Sequence, residues 1–579
     1  MSTPTVTASR SRRGLMRWAV AATATAALVV SGSGLVVFAQ SGTGESQGPQ
    51  FASADAVAYV EARLDMPAGQ GDAVAQLMTA FPGFADPGSF DLKKDELFAM
   101  LTAQLGAAAP EGDLIGDVFT GEIGIALANI ESAMMGEDPS LVAGLALADA
   151  EAAGDLVEQL LAGASADSVT ESSYNDVAIF SDPMSSQPMN VALHADWLLM
   201  GLGEGTVEGA IDVLDGAVPS LAENAAFTAA WARLPESRLA GAWMDLAPFA
   251  TFLDFASMMA EGETGVALPT DDLAAMLPTD LIASLAAEND RLTLEVLVTP
   301  GEGTPTMPVG ESELAMSFPA ETQLYVETRE LGAAVGSGLG QLATLMESEA
   351  MGSAGDTMGG ISDIEVLFGE DSPITAMLGV PLPVFLDFVG DAAVGAGFSS
   401  DGVWAGIAAE IGDDAAATER TSNLLTVLRM LTMEQEGISL ETADVEGVEV
   451  TTINVPLDAM MAESGLPLDI ANGIDVAIAD GTLLIGLGDF VESAILSDGT
   501  DSLGASAGYV DALGDDTVNA GVLYLNISSL LTALDPMLSM MAPEWSQIAP
   551  YATGFDRMIA VGTADDEVIG SRMTVIVGQ

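Results

Sequence analysis

"VALHADWLLMGLGEGTVEGAI" (Val191–Ile211) is an apolar run that ends in Gly-x-Gly and continues into a helix-like stretch. A strand, a glycine turn and a helix start are how a phosphate-cradling loop begins. The same features return in the same order as "VAIADGTLLIGLGDFVESAI" (Val476–Ile495). Both keep Gly-x-Gly, and both run on as Val-Glu-x-Ala-Ile, at Val207–Ile211 and Val491–Ile495. The third glycine is not kept, because Phe490 stands where Gly205 stands. A carboxylate, Glu204 or Asp489, sits at the turn. It would repel a phosphate, and it suits the first turn of a helix. The stretch reads as a strand-to-helix corner used twice, not as a nucleotide loop.

Six further pairs follow the same order. "ADAVAYVEAR" from Ala54 matches "AETQLYVETR" from Ala320, and "FTGEIGIAL" from Phe119 matches "FVGDAAVGA" from Phe388. "LVAGLALADAEAAGDLVEQLL" from Leu141 resembles "VWAGIAAEIGDDAAATERTSNLL" from Val403, and "RLAGAWMDL" from Arg238 resembles "NAGVLYLNI" from Asn519. "LDFASMMAEG" from Leu253 pairs with "LDPMLSMMAPE" from Leu534, and "RLTLEVLV" from Arg291 with "RMTVIV" from Arg572. The offsets all fall between about 260 and 285 residues, the mark of internal duplication. The expected organisation is a basic n-region over 1–17, a signal anchor or signal peptide over 18–39 and a flexible linker over 40–50. Repeat 1 then runs over 51–300, a Gly-, Pro- and Thr-rich linker over 301–315, and repeat 2 over 316–579.

Within each copy the periodicity predicts strands around Tyr59, over Gly121–Ala128 and over Leu141–Leu147, then a helix over Ala152–Leu161. Strands over Asp176–Phe180 and Val191–Gly201 follow, then helices through Asp212 and Ala230. A strand near Gly241, a Met-bearing helix and a last strand over Leu292–Val298 close the copy. Strands outnumber the crossovers a parallel sheet needs. The expected fold is α+β: two tandem homologous units after an N-terminal hydrophobic helix, each a mostly antiparallel sheet with helices on one face.

The 579 residues exceed one ordinary domain, and the 49% hydrophobic content suffices for sizeable cores. Aromatics supply only 5%, so Ala, Val, Leu, Ile and Met must fill those cores. With no cysteine, disulfides, thiolate zinc sites, iron–sulfur clusters and cysteine nucleophiles are excluded. The 85 acidic residues face only 15 basic ones, a formal net charge of −70. Such a surface repels nucleic acid, so no nucleic-acid partner is expected. A carboxylate-rich, lysine-poor surface suits solubility, with adaptation to salt as the sharper reading and loose binding of divalent cations as a third.

Arg10, Arg12, Arg13 and Arg17 precede the uncharged stretch Trp18–Phe38. Its 21 residues are long enough to span a bilayer. Basic residues before it put the N-terminus inside and the bulk outside, a single-pass protein of the cell membrane. Cleavage after Ala39 would release a secreted protein instead. Ser11–Met16 (SRRGLM) also has the form of a twin-arginine export signal, beside the plainer reading of a basic n-region.

The candidate chemistry is thin. His194 is the only histidine, and Ala479 stands at its place in the second copy. Without partners it builds neither a multi-His zinc site nor, lacking a Gly-x-Ser-x-Gly elbow, a recognisable triad. Glu61-x-Arg63 recurs as Glu327-x-Arg329, and residues i and i+2 share a strand face. The structural reading is a buried or edge ion pair, and the functional one a carboxylate-binding arginine. Arg291 and Arg572 read as a second repeated pair of arginines. "SDGTDS" (Ser497–Ser502) is the nearest approach to a calcium loop and lacks its terminal Glu. Methionine pairs at 134–135, 258–259, 460–461 and 540–541 read as flexible core filler, or as an adaptable apolar groove. No catalytic, cofactor-binding or metal-ligating residue is assigned, and no cofactor is expected.

The hydrophobic N-terminal segment, the opening "ADAVAYVEARLDMPAGQGDAVAQLMTAFPGF" from Ala54 and the overall length resemble a bacterial family, domain of unknown function 3352. The resemblance spans nearly the whole chain after residue 50. It implies an exported or anchored protein and brings no activity with it. The expected function is binding or scaffolding at the cell envelope without catalysis. The expected partners are the membrane, through the N-terminal helix, and an apolar ligand or envelope protein. The alternatives are a lipid or apolar-ligand carrier with a cleft between or within the repeats, and a carboxylate-based envelope hydrolase.

Overall fold

The computed structural model describes residues 48–63, 66–67, 69–84, 118–129, 140–163, 170–181, 189–251, 257, 274–304, 306–311, 313–335, 375, 386–399, 402–411, 415, 417–423, 426, 439–455, 472–542, 544–565 and 567–578. Two compact units divide them: the first takes the described residues of 48–251 and 274–304, and the second takes Ser257 and those of 306–578. The hydrophobic stretch Trp18–Phe38 lies outside the described residues. Among those residues no helix is long and apolar enough to cross a membrane.

The first unit contains β1 (Ala58–Arg63), β2 (Phe119–Asn129), β3 (Ser140–Leu147), β4 (Thr170–Tyr174) and β5 (Val177–Ser181). It continues with β6 (Met189–His194), β7 (Trp197–Leu202), β8 (Ala240–Asp245), β9 (Asp280–Glu288) and β10 (Arg291–Thr299). They pair antiparallel throughout, in the order β4-β5-β6-β7-β3-β2-β1-β8-β9-β10. Helices α1 (Gln70–Met78), α2 (Ala150–Gly163), α3 (Thr206–Leu214) and α4 (Ala225–Trp231) pack around this sheet.

The second unit has a two-stranded ladder of β11 (Gly310–Glu311) and β19 (Val518–Asn519). Its main sheet uses β12 (Leu324–Thr328), β13 (Val389–Ser399), β14 (Gly402–Ile411), β15 (Ser439–Val445) and β16 (Val448–Asn454). To these it adds β17 (Gly473–Ala479), β18 (Thr482–Leu487), β20 (Gly521–Leu525), β21 (Phe555–Ala564) and β22 (Ile569–Val577). Their order is β15-β16-β17-β18-β14-β13-β12-β20-β21-β22, again all antiparallel. Helices α5 (Phe490–Leu496), α6 (Ala507–Leu513), α7 (Ile527–Met541) and α8 (Trp545–Ala552) complete it. Strand for strand, the two sheets share one topology.

Short turns set this pattern. Asn175-Asp176, Glu446-Gly447 and Asp480-Gly481 join β4–β5, β15–β16 and β17–β18, with positive φ at both turn residues. Such two-residue turns match the twist of the strands they join. One turn corrects the sequence reading. Val191–Gly201 is not one strand, because Ala195 (φ 50) opens a tight turn and His194 pairs with Trp197. Ala-Asp is a weak turn signal inside an apolar run, and so it was hidden. Strands β4 and β9 are also additional to the expected set.

The main core of the first unit gathers Phe51, Tyr59, Trp197, Leu199, Ile211, Phe227 and Trp243. Phe51 lies tilted against Trp197 at 4.9 Å between centroids. A Cβ on Gly144 would come within 2.7 Å of the Phe51 ring, so this strand position must stay bare. The second unit packs Phe318, Tyr325, Trp404, Phe490, Tyr509 and Tyr524 in the same manner.

Helices on one face only does not hold for the first unit. Val142 and Ala146 of β3 face the main core with α3, while Leu145 and Leu147 join Ala153 and Val157 of α2. Neighbouring residues of a strand point to opposite faces, so α2 covers the reverse of the sheet.

Candidate functional site

The strongest concentration of buried charge lies at one end of each central strand. In β1, Tyr59, Glu61 and Arg63 alternate onto the buried face. Arg63 stands opposite Glu122 of β2, and Glu61 opposite Gly241 of β8. Glu61 is 1% exposed, Glu122 3%, Arg63 6% and Arg238 8%. Arg238 brings its guanidinium 3.9 Å from Glu61, donates to the Pro235 carbonyl at 2.7 Å and lies over Trp231 at 4.6 Å. Glu122 accepts the Gly48 amide at 2.8 Å. Burial lowers the Arg238 pKa against the pull of Glu61. Burial, with Glu61 and Glu122 nearby, pushes the Tyr59 hydroxyl well above the ordinary tyrosine value.

The second unit builds the cluster from direct bonds. Tyr325 donates to Glu327 at 2.7 Å. Arg329 donates to Glu327 at 2.8 Å and to Asp391 at 2.6 Å. Its remaining nitrogens reach the Asn519 carbonyl at 3.2 Å and the Asn519 side chain at 3.0 Å. Burial works against the Arg329 charge, but the Asp391 bond and the Glu327 carboxylate outweigh it and raise the pKa. Burial also raises Glu410, and the neighbouring Asp391 and Glu313 add to the effect. Arg329 therefore has its donors committed within the fold, which is how a structural cation behaves.

Strand register corrects one repeated arginine pair. Through β8–β9–β10 and β20–β21–β22, Val296 occupies the place of Met573. Arg572 thus corresponds to Glu295, not to Arg291. Arg291 lies 3.7 Å from Asp290, and Arg572 donates to Asp516 at 2.7 Å. Two short apolar runs matched in sequence at the wrong register.

The Gly-x-Gly corners have packing reasons. A Cβ on Gly201 would meet Val207 of α3 at 2.7 Å, and one on Gly486 would meet the Phe490 ring at 2.5 Å. Gly203 and Gly488 take φ of 98° and 77°, which a side chain resists. Asp489 is the N-cap of α5 and Glu204 lies just ahead of α3, and no side-chain cap bond forms at either helix start.

His194 lies in β6, part exposed, with Nε2 2.8 Å from Asp215 at the end of α3. Asp212 accepts bonds from Tyr174 at 2.8 Å and Asn175 at 3.2 Å, tying the β4–β5 hairpin to the same helix. Met540 is 69% exposed on α7, so it is not core filler. The other three methionine pairs lie outside the described residues. In "SDGTDS", Asp498 accepts the amide and hydroxyl of Thr500 at 3.0 and 2.6 Å. Among the described residues no group of three or more His, Asp or Glu is placed to hold a metal ion.

Residues 119–352 match a family model. The family is DUF3352, described as a protein of unknown function. The matched stretch opens at β2 and ends beyond β12, so it takes in parts of both units and is narrower than the resemblance implied. No curated protein matches the chain. Crystal structures of TP0453 in forms III and I align at 11% and 8% identity, each with a TM-score of 0.24. Each covers 45% of this chain and 82% of the TP0453 chain.

Proposed function

We propose that the chain is an extracytoplasmic, membrane-tethered protein made of two homologous units, and that it binds or scaffolds at the cell envelope without catalysing a reaction. The observation that carries this is the state of Arg329. The most buried arginine among the described residues is engaged by Glu327, Asp391 and Asn519, so it holds the sheet together and is not poised for a substrate. Common descent of the units is supported by their shared strand order and by the recurrence of Tyr-x-Glu-x-Arg at the centre of each sheet. The tether is supported by the apolar stretch Trp18–Phe38 and the four arginines before it.

Natively produced full chain should be recovered in the membrane fraction, released by detergent but not by high salt. It should leave ester, glycoside and peptide probe substrates unchanged. Recovery of a shortened chain from the culture medium would overturn the tether. Turnover of any probe that is lost on replacing a carboxylate would overturn the non-catalytic reading.

A further inference from the structure

The second unit has an open cleft of about 420 Å³ between the end of its central strands and the first turns of α7. Gln323, Phe398, Asn526, Ser528, Thr532 and Asp556 line it, with Ser529 and Ala533. We infer that this cleft is a binding site for a neutral, polyhydroxylated ligand, a sugar unit. The inference concerns the second unit alone and stands whether or not the chain is tethered.

The first unit shows what the fold itself requires there. Val57 donates its amide to Leu127 and accepts the amide of Asp245. Gln323 makes the same two backbone bonds, to Ala396 and from Asn526. The same backbone therefore carries valine in one unit and glutamine in the other. Two and three residues after Asp245 stand Ala247 and Pro248, where the second unit has Ser528 and Ser529. The topology forms with a different lining in the first unit, so these polar side chains are particular to the second.

The bonds within the cleft hold its groups in place. Gln323 is 4% exposed, its amide fixed between Ser529 at 3.0 Å and the Phe398 amide at 3.1 Å. Ser528 donates to Asp556 at 2.8 Å, and Thr532 donates to the Ser528 carbonyl at 2.7 Å. Two hydroxyls thus already donate, and what they present to the cleft is acceptor lone pairs. Toward these two groups the ligand must bring donors. Asp556 is paired with Arg557, which removes its pull on a cation. The net charge of −70 repels an anion. A neutral molecule rich in hydroxyls fits both limits. Phe398 is the one aromatic residue among those lining the cleft, and the volume is that of a small-ligand site.

The test is ligand-observed saturation-transfer NMR on the full chain with D-glucose, N-acetylglucosamine and maltose, beside glucose 6-phosphate and tetramethylammonium. At least one neutral sugar should receive saturation, and glucose 6-phosphate and tetramethylammonium should receive less. Gln323→Val with Ser528→Ala installs the residues of the first unit, and should weaken sugar binding at least ten-fold in a chain that still folds. If that variant melts early, Thr532→Val serves in its place with the same expectation. Transfer to no neutral sugar, preference for tetramethylammonium, or full binding by a stably folded variant would overturn the assignment.

Discussion

Asn519 stands in the second unit where Arg238 stands in the first, each three residues ahead of the residue opposite the central glutamate. The exchange changes the balance of buried charge. Arg63 and Arg238 face Glu61 and Glu122 in the first unit, while Arg329 alone faces Glu327 and Asp391 in the second. Arg329→Met should therefore cost about 3–5 kcal/mol, the price of leaving buried carboxylates without their partner. Hydrogen exchange would locate the loss in β12, β13 and β20.

Glu410 gives the second unit a dependence on pH. Its folded pKa lies above the ordinary carboxylate value, through burial first and then Asp391 and Glu313. Protonated Glu410 favours the fold, so its contribution is fully present below the unfolded pKa and is lost as pH rises through the folded one. Glu410→Gln should raise the melting temperature at neutral pH, and the gain should vanish in acid. A gain that persists unchanged in acid would refute this account.

Gly144 is a packing constraint. Gly144→Ala presses a methyl into Phe51 and Trp197 and should destabilise the first unit by about 1–3 kcal/mol. Gly209→Ala, on α3 with open space around it, should be neutral or slightly stabilising. Comparing the two melting curves checks the claim.

His194→Ala should cost less than about 1 kcal/mol, since the bond to Asp215 is part exposed. Urea denaturation of the two chains measures it.

Sodium chloride should raise the melting temperature of the whole chain from low to molar concentration. With 85 acidic residues and 15 basic ones, self-repulsion is the dominant long-range term and salt screens it. A flat series would dismiss salt adaptation.

The parts legible in the sequence were those written as local periodicity. Leu141–Leu147 and the helix through Asp212 showed themselves because one side chain in two, or one face of a helix, is apolar. The β6–β7 hairpin stayed hidden because Ala195-Asp196 interrupts an apolar run without glycine or asparagine. Tyr59, Glu61 and Arg63 were visible as a recurring pattern. Their partners Glu122 and Arg238 were not, since no local signal joins residues that meet only when β2 and β8 flank β1. The polar cleft was equally invisible, because Gln323, Asn526 and Asp556 lie far apart in the chain.

The place of β1 and β12 has a consequence for assembly. Among the described residues each is the first main-sheet strand of its unit to be made, yet it occupies the interior of the finished sheet. Arg329 must wait for Asn519, 190 residues later, before its last bonds can close. During synthesis the charged end of that strand lacks its Asn519 partner until β19 and β20 arrive. A chain halted before that point can pair Arg329 with Glu327 and Asp391 but leaves its Asn519 bonds to water, so those last bonds act as a late check that the unit is complete.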